Sequence, residues 1–586
     1  MKMSSNEVPN RKLVETALGN EPADMVIQDG ILLDVYSGRM LSHRSVAVKD
    51  KWIAYVGPDA EHCIGEHTEV IQANNRIISP GYIDAHTHLP YQFDLTDFLA
   101  HAIPGGTTTY VTEVEPYAFV LGAEGFKIFL DQTRNRPVKI YSLIPPMVTL
   151  SPASKSRYIT REEAKELLES DYVIGLGESY WQGAILTPDN RVLDLMQETG
   201  QAGKSVQGHA AGAFDRKLAA YASAGALSCH ESISTEDVLS RLEMGYYVMV
   251  REGYIRSDLE IISSIGNDLD IRRLVLVTDG ISPERLMERG YFVDVVQKAV
   301  DLGLDPMRVV QMVSLNPAEH LGIDNIVGGI SPGRMADILL LPEAGKMMPD
   351  LVISNGRVVG EMGRCTVPLS RVAHPTRFMK TMNIDPISVS DLRLSSMSTH
   401  ANGFIRTMDI QEGGLVTREG RVEAVAAGGE LSADPANDLC KCVFIERASG
   451  ASEKFIGFVR GWGQKNGAVA TSHCWDSSGL MAIGTNDQDL ALAINRVIEI
   501  QGGTVLVKDG TLVVDIPCKA GGYISGMDIG VLTAELKKFQ ETLTNLGSGL
   551  ESAHLTLCTL TSAAIPFIRM TEKGYSRFRE GDLVGI

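Results

Sequence analysis

Two histidines one residue apart, His86 and His88 in the stretch GYIDAHTHLPYQF, follow an apolar run and a glycine. In an extended strand, residues two apart point to one face. The pair is therefore able to offer two imidazoles to one ion while Thr87 points away. Alone, H-x-H does not separate a metal site from a surface pair. Four further candidates decide the matter, because each closes another apolar run: Glu178 in VIGLGES, His209 in KSVQGHA, His230 in ALSCHES and Asp279 in RLVLVTDG. Four imidazoles and two carboxylates, without sulfur, suit Zn, Fe or Mn better than Mg or Cu(I). Six ligands exceed what one tetrahedral ion with an open position needs, so two divalent ions are expected. Glu178 is the natural bridge, since each carboxylate oxygen can bind one ion. Two ions sharing a water lower its pKa enough to give hydroxide near neutral pH. Asp279 is then placed to accept the proton and pass it to a leaving group. The competing role for Asp279 is capping the SPERLMERG helix. Ser282 fits that role better, because it puts Pro283 at the first helical position.

These side chains need a scaffold that brings separate strand ends together. From Tyr82 to about residue 325, short apolar runs alternate with helix-length segments such as REEAKELLES, STEDVLSRLEMG and YFVDVVQKAVDLG. Repeated strand–helix units predict a parallel sheet with right-handed crossovers. Seven or eight of them fit a (β/α)8 barrel, whose chemistry collects at the C-terminal ends of the strands. No G-x-G-x-x-G follows the first strand, which disfavours a dinucleotide-binding fold. Before the barrel, VIQDGILLDVYSG and VAVKDKWIAYVGP read as strands split by Asp-Gly and Asp-Lys turns, after a helical opening up to about Gly19. After it, DLVISNGRVVG repeats the strand–turn–strand pattern. The expected architecture is thus a barrel (79–333) inserted in a small β-domain made of residues 1–78 and 334–372, followed by an α+β domain (373–586). In that last domain TVLVKDGTLVVDIP forms a strand pair, while LALAINRVIEIQGG and VLTAELKKFQETLTNLG form helices.

Bulk properties bound the partners. At 586 residues more than one core is required. A net charge of −19 without a long acidic block argues against nucleic-acid or anionic-membrane binding, both of which need a basic face. No uninterrupted apolar run approaches the length of a transmembrane helix, and no signal peptide is apparent. Eight scattered cysteines suggest reduced thiols in a cytoplasmic protein.

Together PGYIDAHTH, GLGE, GHA, the His230–Glu231 pair, VREG, LVTD and NPAEHLGI resemble the amidohydrolase superfamily, and within it the bacterial adenine deaminase family. The similarity extends into the C-terminal domain through GTNDQDLALAINRVIEIQGG and TLTSAAIPFIRMTEKG. It implies that His86, His88, Glu178, His209, His230 and Asp279 hold a two-metal centre bridged by glutamate, and it suggests a homo-oligomer. Other motifs depart from the family. H-x-H-I-E-S-S becomes HTHLPYQF, P-H-G-T-T-T becomes PGGTTT with Gly105, and D-P-H-E becomes Glu115-Pro116-Tyr117-Ala118. T-D-D-R becomes Thr278-Asp279-Gly280-Ile281, and H-D-S-H becomes Trp475-Asp476-Ser477-Ser478. Polar groups give way to Gly, Ala, Tyr, Trp and Ser. Either substrate recognition is reshaped, or these loops lie away from the substrate.

The reading is a metal-dependent hydrolase of a small nitrogen heterocycle, first of all one that deaminates adenine or a related aminopurine. A ring-opening hydrolase of cyclic amides or amidines is the rival within the class, and a non-catalytic metal-stabilised scaffold the rival outside it. A nucleic-acid deaminase is disfavoured by charge and by the missing H-x-E…P-C-x-x-C signature. Candidate substrate contacts are Arg251, Glu252, Glu115, Tyr117 and Trp475; for Arg251 and Glu252 a salt bridge at the strand end is the alternative. Tyr91 and Phe93 are further aromatics able to stack on a planar ring. His101, His320 and His473 are expected to be surface or packing residues.

Overall fold

The computed structural model describes residues 11–89, 91–186, 190–265, 268–395, 403–424, 426–447, 453–565, 567–577 and 580–586. The first ten residues of the expected N-terminal helix and Pro90 lie outside them. The described part of that helix is Arg11–Ala17.

Eight parallel strands form the centre of the molecule, numbered here around the barrel: β1 (Tyr82–His88), β2 (Thr107–Glu113), β3 (Lys139–Ile144), β4 (Val173–Tyr180), β5 (Ser205–His209), β6 (Ser228–Cys229), β7 (Tyr247–Arg251) and β8 (Leu274–Val277). Strands β1 to β5 form one hydrogen-bonded arc and β6 to β8 another. Hydrogen bonds span both gaps, among them two from backbone N–H groups. The Asp279 N–H donates to the His86 carbonyl at 3.0 Å, and the Gly208 N–H donates to Ser228 Oγ at 3.3 Å. Nearly every residue of these strands is buried, as expected where helices cover one face and the barrel interior the other. The connecting helices carry their own start signals. Thr160 and Glu163 make a capping box for Arg161–Leu167, and Ser234 caps Thr235–Glu243. Ser282 Oγ accepts from the Arg285 N–H, with Pro283 at the first helical position.

The sequences on both sides of the barrel share one nine-stranded sheet. Ile77–Pro80 pairs antiparallel with Ile338–Leu341, which joins the two flanks. One expected turn is absent. Met25–Asp34 runs as a single strand through Asp29-Gly30, where the register with Arg39–Lys49 shifts. Asp29 takes φ 53°, so the Asp-Gly pair makes a bulge rather than a reversal. The chain turns back only beyond Asp34.

The C-terminal domain is a separate α+β body, as expected. It holds an eight-stranded mixed sheet, the helices Asp487–Glu499 and Ile529–Asn545, and a three-stranded sheet within 568–584. It sits on the barrel, and buried Glu446 is the main polar tie. Its carboxylate accepts from Ser151 Oγ (3.0 Å) and Ser154 Oγ (2.6 Å) of the barrel. From its own domain it accepts from Ser477 Oγ (3.1 Å), Ser478 Oγ (2.7 Å) and the Arg447 N–H (2.8 Å). No described helix is long and apolar enough to cross a membrane.

Truncating Glu446 strands several buried donors, each costing about 1–3 kcal/mol. Glu446→Ala is expected to lower the chemical-unfolding free energy by about 3 kcal/mol. An unfolding midpoint equal to wild type would show that Glu446 is not what ties the two bodies together.

Candidate metal centre

The six ionisable residues singled out at the strand tips meet in one buried space. His86 and His88 end β1, and their Nε2 atoms lie 3.1 Å and 3.3 Å from Asp279 Oδ1. The same nitrogens lie 3.2 Å and 3.0 Å from Glu178 Oε1. The second oxygen of Glu178 reaches His209 Nδ1 at 3.2 Å, and that nitrogen is 3.2 Å from His230 Nε2. The rings of His86 and His230 stack with centroids 4.2 Å apart. Glu178 thus faces His86 and His88 with one oxygen and His209 with the other. Donor atoms group into two overlapping sets: His86, Glu178, His230 and Asp279, and then His209, His230 and Glu231.

Local sequence explains how these side chains are aimed. Register shifts between Asp84 and Thr87 turn Asp84 and Thr87 toward Thr278 and Tyr291. Asp84 accepts from Thr278 Oγ and Tyr291 OH, both at 2.6 Å, and burial pushes its carboxyl up to about 6. That network pins the start of β1 against the end of β8. Asp279 itself takes φ 56°, uncommon for a residue other than glycine, and its Oδ2 is 3.5 Å from an Arg251 guanidinium nitrogen. Gly177 in the GLGE run is required by close approach, since a Cβ there would lie 1.9 Å from Glu113 Oε2.

Two further carboxylates stand at the centre, beyond the six residues that the strand ends point to. Glu113 ends β2, accepts the Glu178 N–H at 2.9 Å and lies 3.8 Å from His86 Nδ1. The signal was present in the sequence: TTTYVTEV places an acid at the tip of an apolar run, as VIGLGES does. Glu231, quoted above only as part of a motif, lies 3.6 Å from His230 and 3.8 Å from His209 and is paired with Arg251. Glu115, 3.6 Å from His88 Nδ1, makes a fifth carboxylate.

Of the candidate substrate contacts, Glu115 and Trp475 line a cavity beside His88, together with Tyr91, Phe119, Asp476 and Tyr523. The Trp475 ring lies 5.2 Å from both His88 and Tyr91. Free space there is about 360 Å3 counting the open mouth. Arg251 is buried against Glu231, Asp258 and Asp279, so it fixes Asp279. Glu252 does not face the cavity. It is held by Arg285, Lys298 and Ser257, and the salt-bridge alternative describes it. Tyr117 also turns away, stacked on Phe378 at 4.4 Å with its hydroxyl donating to Gln132; its expected place at the substrate gives way to packing. Phe93 packs on Phe98. His473 is buried, its Nε2 2.7 Å from the Tyr523 carbonyl, and His320 is engaged by Gln207, while His101 is half-buried.

Donor chemistry and charge both fit divalent cations. Five carboxylates surround the four imidazoles, with Arg251 as the guanidinium among them. Burial alone would push Glu178 and Asp279 up, but the surrounding imidazoles hold both well below the usual carboxylate range. Burial pushes the Glu113 carboxyl well up, the neighbouring Glu115 and Glu178 push it further, and His88 only partly offsets them.

The amidohydrolase family model matches residues 77–359, and that of the adenine deaminase C-terminal domain matches residues 414–581. An adenine deaminase of Moorella thermoacetica is 35% identical over 571 residues, covering 96% of both chains. Another, of Rubrobacter xylanophilus, is 33% identical over 575 residues, covering 96% of this chain and 95% of its own. A third, of Clostridium botulinum strain Loch Maree, is 31% identical with the same coverage. A barrel of parallel strands with ionisable groups at its rim is the amidohydrolase arrangement. Within that class the chain belongs to the adenine deaminase family.

Metal uptake must displace protons. Burial opposes charge on His86, but its bonds to Asp279 and Glu178 win and hold the metal-free imidazolium up to about 9; His88 is raised by the same partners and Glu115. Affinity for Mn(II) or Zn(II) is therefore expected to fall as pH drops below about 9, with protons released on binding at pH 7. Calorimetry in two buffers of different ionisation enthalpy measures this, and uptake without proton release would contradict it.

Proposed function

We propose that the protein deaminates adenine or a related aminopurine, using two divalent ions drawn from Mn, Fe and Zn. His86, His88, Glu178, His209, His230 and Asp279 would hold them, with Glu178 between the two. The observation that carries this reading is the convergence of four imidazoles and two carboxylates in one buried cluster. Such ions supply Lewis acidity that makes water nucleophilic near neutral pH.

The chain's own groups do the rest. Asp279 stays ionised beside the imidazoles and takes a proton from the attacking water. Arg251 holds its Oδ2, so Oδ1 stays directed into the centre. Asp279 then delivers the proton to the departing amino group. The C–N bond breaks, ammonia leaves, and the ring carbon keeps the oxygen. Trp475 and Tyr91 cover the face of the flat ring, and Glu115 offers an acceptor at its edge. The reading also carries over a cytoplasmic location, in which the free thiols stay reduced, and a homo-oligomeric assembly.

Metal-loaded protein is expected to convert adenine with one ammonia released per ring and the ring retained. A protein that left adenine intact while opening a purinone or hydantoin-like ring would support the ring-opening alternative instead. Less than one equivalent of metal by elemental analysis, not restored by Mn, Fe or Zn, would support the scaffold. Asp279→Asn is expected to lower kcat by about 100- to 10,000-fold, read from steady-state ammonia release.

A further inference from the structure

The cavity beside His88 is roofed by the C-terminal domain, and one group in that roof is held with unusual care. Asp476 is 4% exposed and takes φ 58°. Its Oδ2 accepts from Ser562 Oγ at 2.8 Å and from the Ala563 N–H at 2.9 Å. Its Oδ1 accepts from Tyr180 OH at 3.0 Å. Tyr180 ends β4 two residues beyond Glu178, and its ring stands edge-on to His209 with centroids 4.7 Å apart. The backbone around Asp476 is tied down as well. The Trp475 N–H donates to the Cys558 carbonyl at 2.9 Å, and Thr561 Oγ donates to the Trp475 carbonyl at 2.7 Å. Each carboxylate oxygen can accept more than one bond, and Oδ1 has a single partner among the described residues.

We infer that Asp476 is a specificity-determining residue, the acceptor that reads a ring N–H of the heterocycle while Trp475 covers the ring face. The inference rests on the deaminase reading above. In adenine that donor is the single N–H of the five-membered ring. Aromatic walls select flatness but not orientation; a carboxylate fixed from two sides selects the edge that carries hydrogen. Because Asp476 also holds Tyr180, recognition by the C-terminal domain is joined to the strand that carries Glu178. A site built around such an acceptor penalises a ligand unable to donate to it, since the second acceptor position of the buried Oδ1, beside the Tyr180 hydroxyl, then goes unmet.

The test uses metal-loaded full-length protein, Asp476→Asn, and two ligands, adenine and 9-methyladenine, in which the methyl group replaces the ring N–H. In the variant the amide oxygen remains with Ser562 and Ala563, which turns the amide nitrogen, a donor, toward Tyr180 and the cavity. The expected result is a tenfold or larger rise in KM for adenine with a smaller change in kcat. Turnover of 9-methyladenine should change little, so the wild-type preference shrinks by a similar factor, at unchanged metal content. Equal losses on both ligands, or an unchanged KM, would overturn the assignment. If wild type leaves adenine unreacted, the deaminase reading fails, and calorimetric affinities for the two ligands judge Asp476 separately by the same ratio. Wild type that binds neither ligand overturns both readings. Should Asp476→Asn unfold, Ser562→Ala removes one of the bonds that fix the carboxylate and is expected to narrow the preference in the same direction by a smaller factor; no narrowing would overturn the assignment.

Discussion

Carboxylates buried among imidazoles are the constraint on which the rest of this molecule turns. Glu178 and Asp279 lie at 3.0–3.3 Å from ring nitrogens, and Glu113, Glu115 and Glu231 stand just outside them. Anions withdrawn from water persist only when paired with positive charge. Protons on His86 and His88 supply some of it in the metal-free protein, and Arg251 supplies more. Divalent cations supply it more completely, and they do so at the strand tips where the reaction would take place. Stability and chemistry therefore draw on the same cluster.

That arrangement restricts the backbone around it. Gly177 must lack a Cβ because Glu113 occupies the space. Asp279 must adopt φ 56° so that one oxygen meets the histidines and the other meets Arg251. Asp84, bonded to Thr278 and Tyr291, closes the barrel where β8 returns to β1. A position adopted at a cost in backbone energy survives when its surroundings over-determine it, and here the hydrogen bonds on every side do so.

Much of this was legible in the residues themselves, and the reason is periodicity. Eight buried parallel strands read as apolar runs, and an ionisable residue closing such a run stands out against it. His86, His88, Glu178, His209, His230 and Asp279 were visible on that ground. Glu113 obeys the same rule, closing the run TTTYVTEV. Tyr117 and Glu252 show the limit of the method. Each adjoins a functional position in sequence, yet a helix or strand presents neighbouring residues to different sides, and only the packed partners Phe378, Arg285 and Lys298 reveal which side. Asp29-Gly30 failed for another reason: one dipeptide serves a hairpin turn or a bulge equally well, and the length of the strand beyond it decides. No local pattern could show the roof, since Glu446 and Asp476 meet the barrel from hundreds of residues away.

The departures from the family's motifs sort by where they fall. Gly105 packs against Val293 before β2 begins, and Tyr117 packs on Phe378, so changes there answer to the core. Leu89, Glu115 and Trp475 border the cavity, and a Cβ on Gly280 would lie 3.7 Å from the His88 Cβ. Change is therefore concentrated partly in the core and partly at the wall of the pocket, while the ionisable cluster is complete. A wall that exchanges polar groups for Gly and Trp depends more heavily on those it retains. Glu115 from the barrel and Asp476 from the domain above are the carboxylates at that wall, beside the buried Tyr91 hydroxyl. On the proposed reading, a heterocycle held between the two carboxylates brings hydrogen to two edges, one met by each domain.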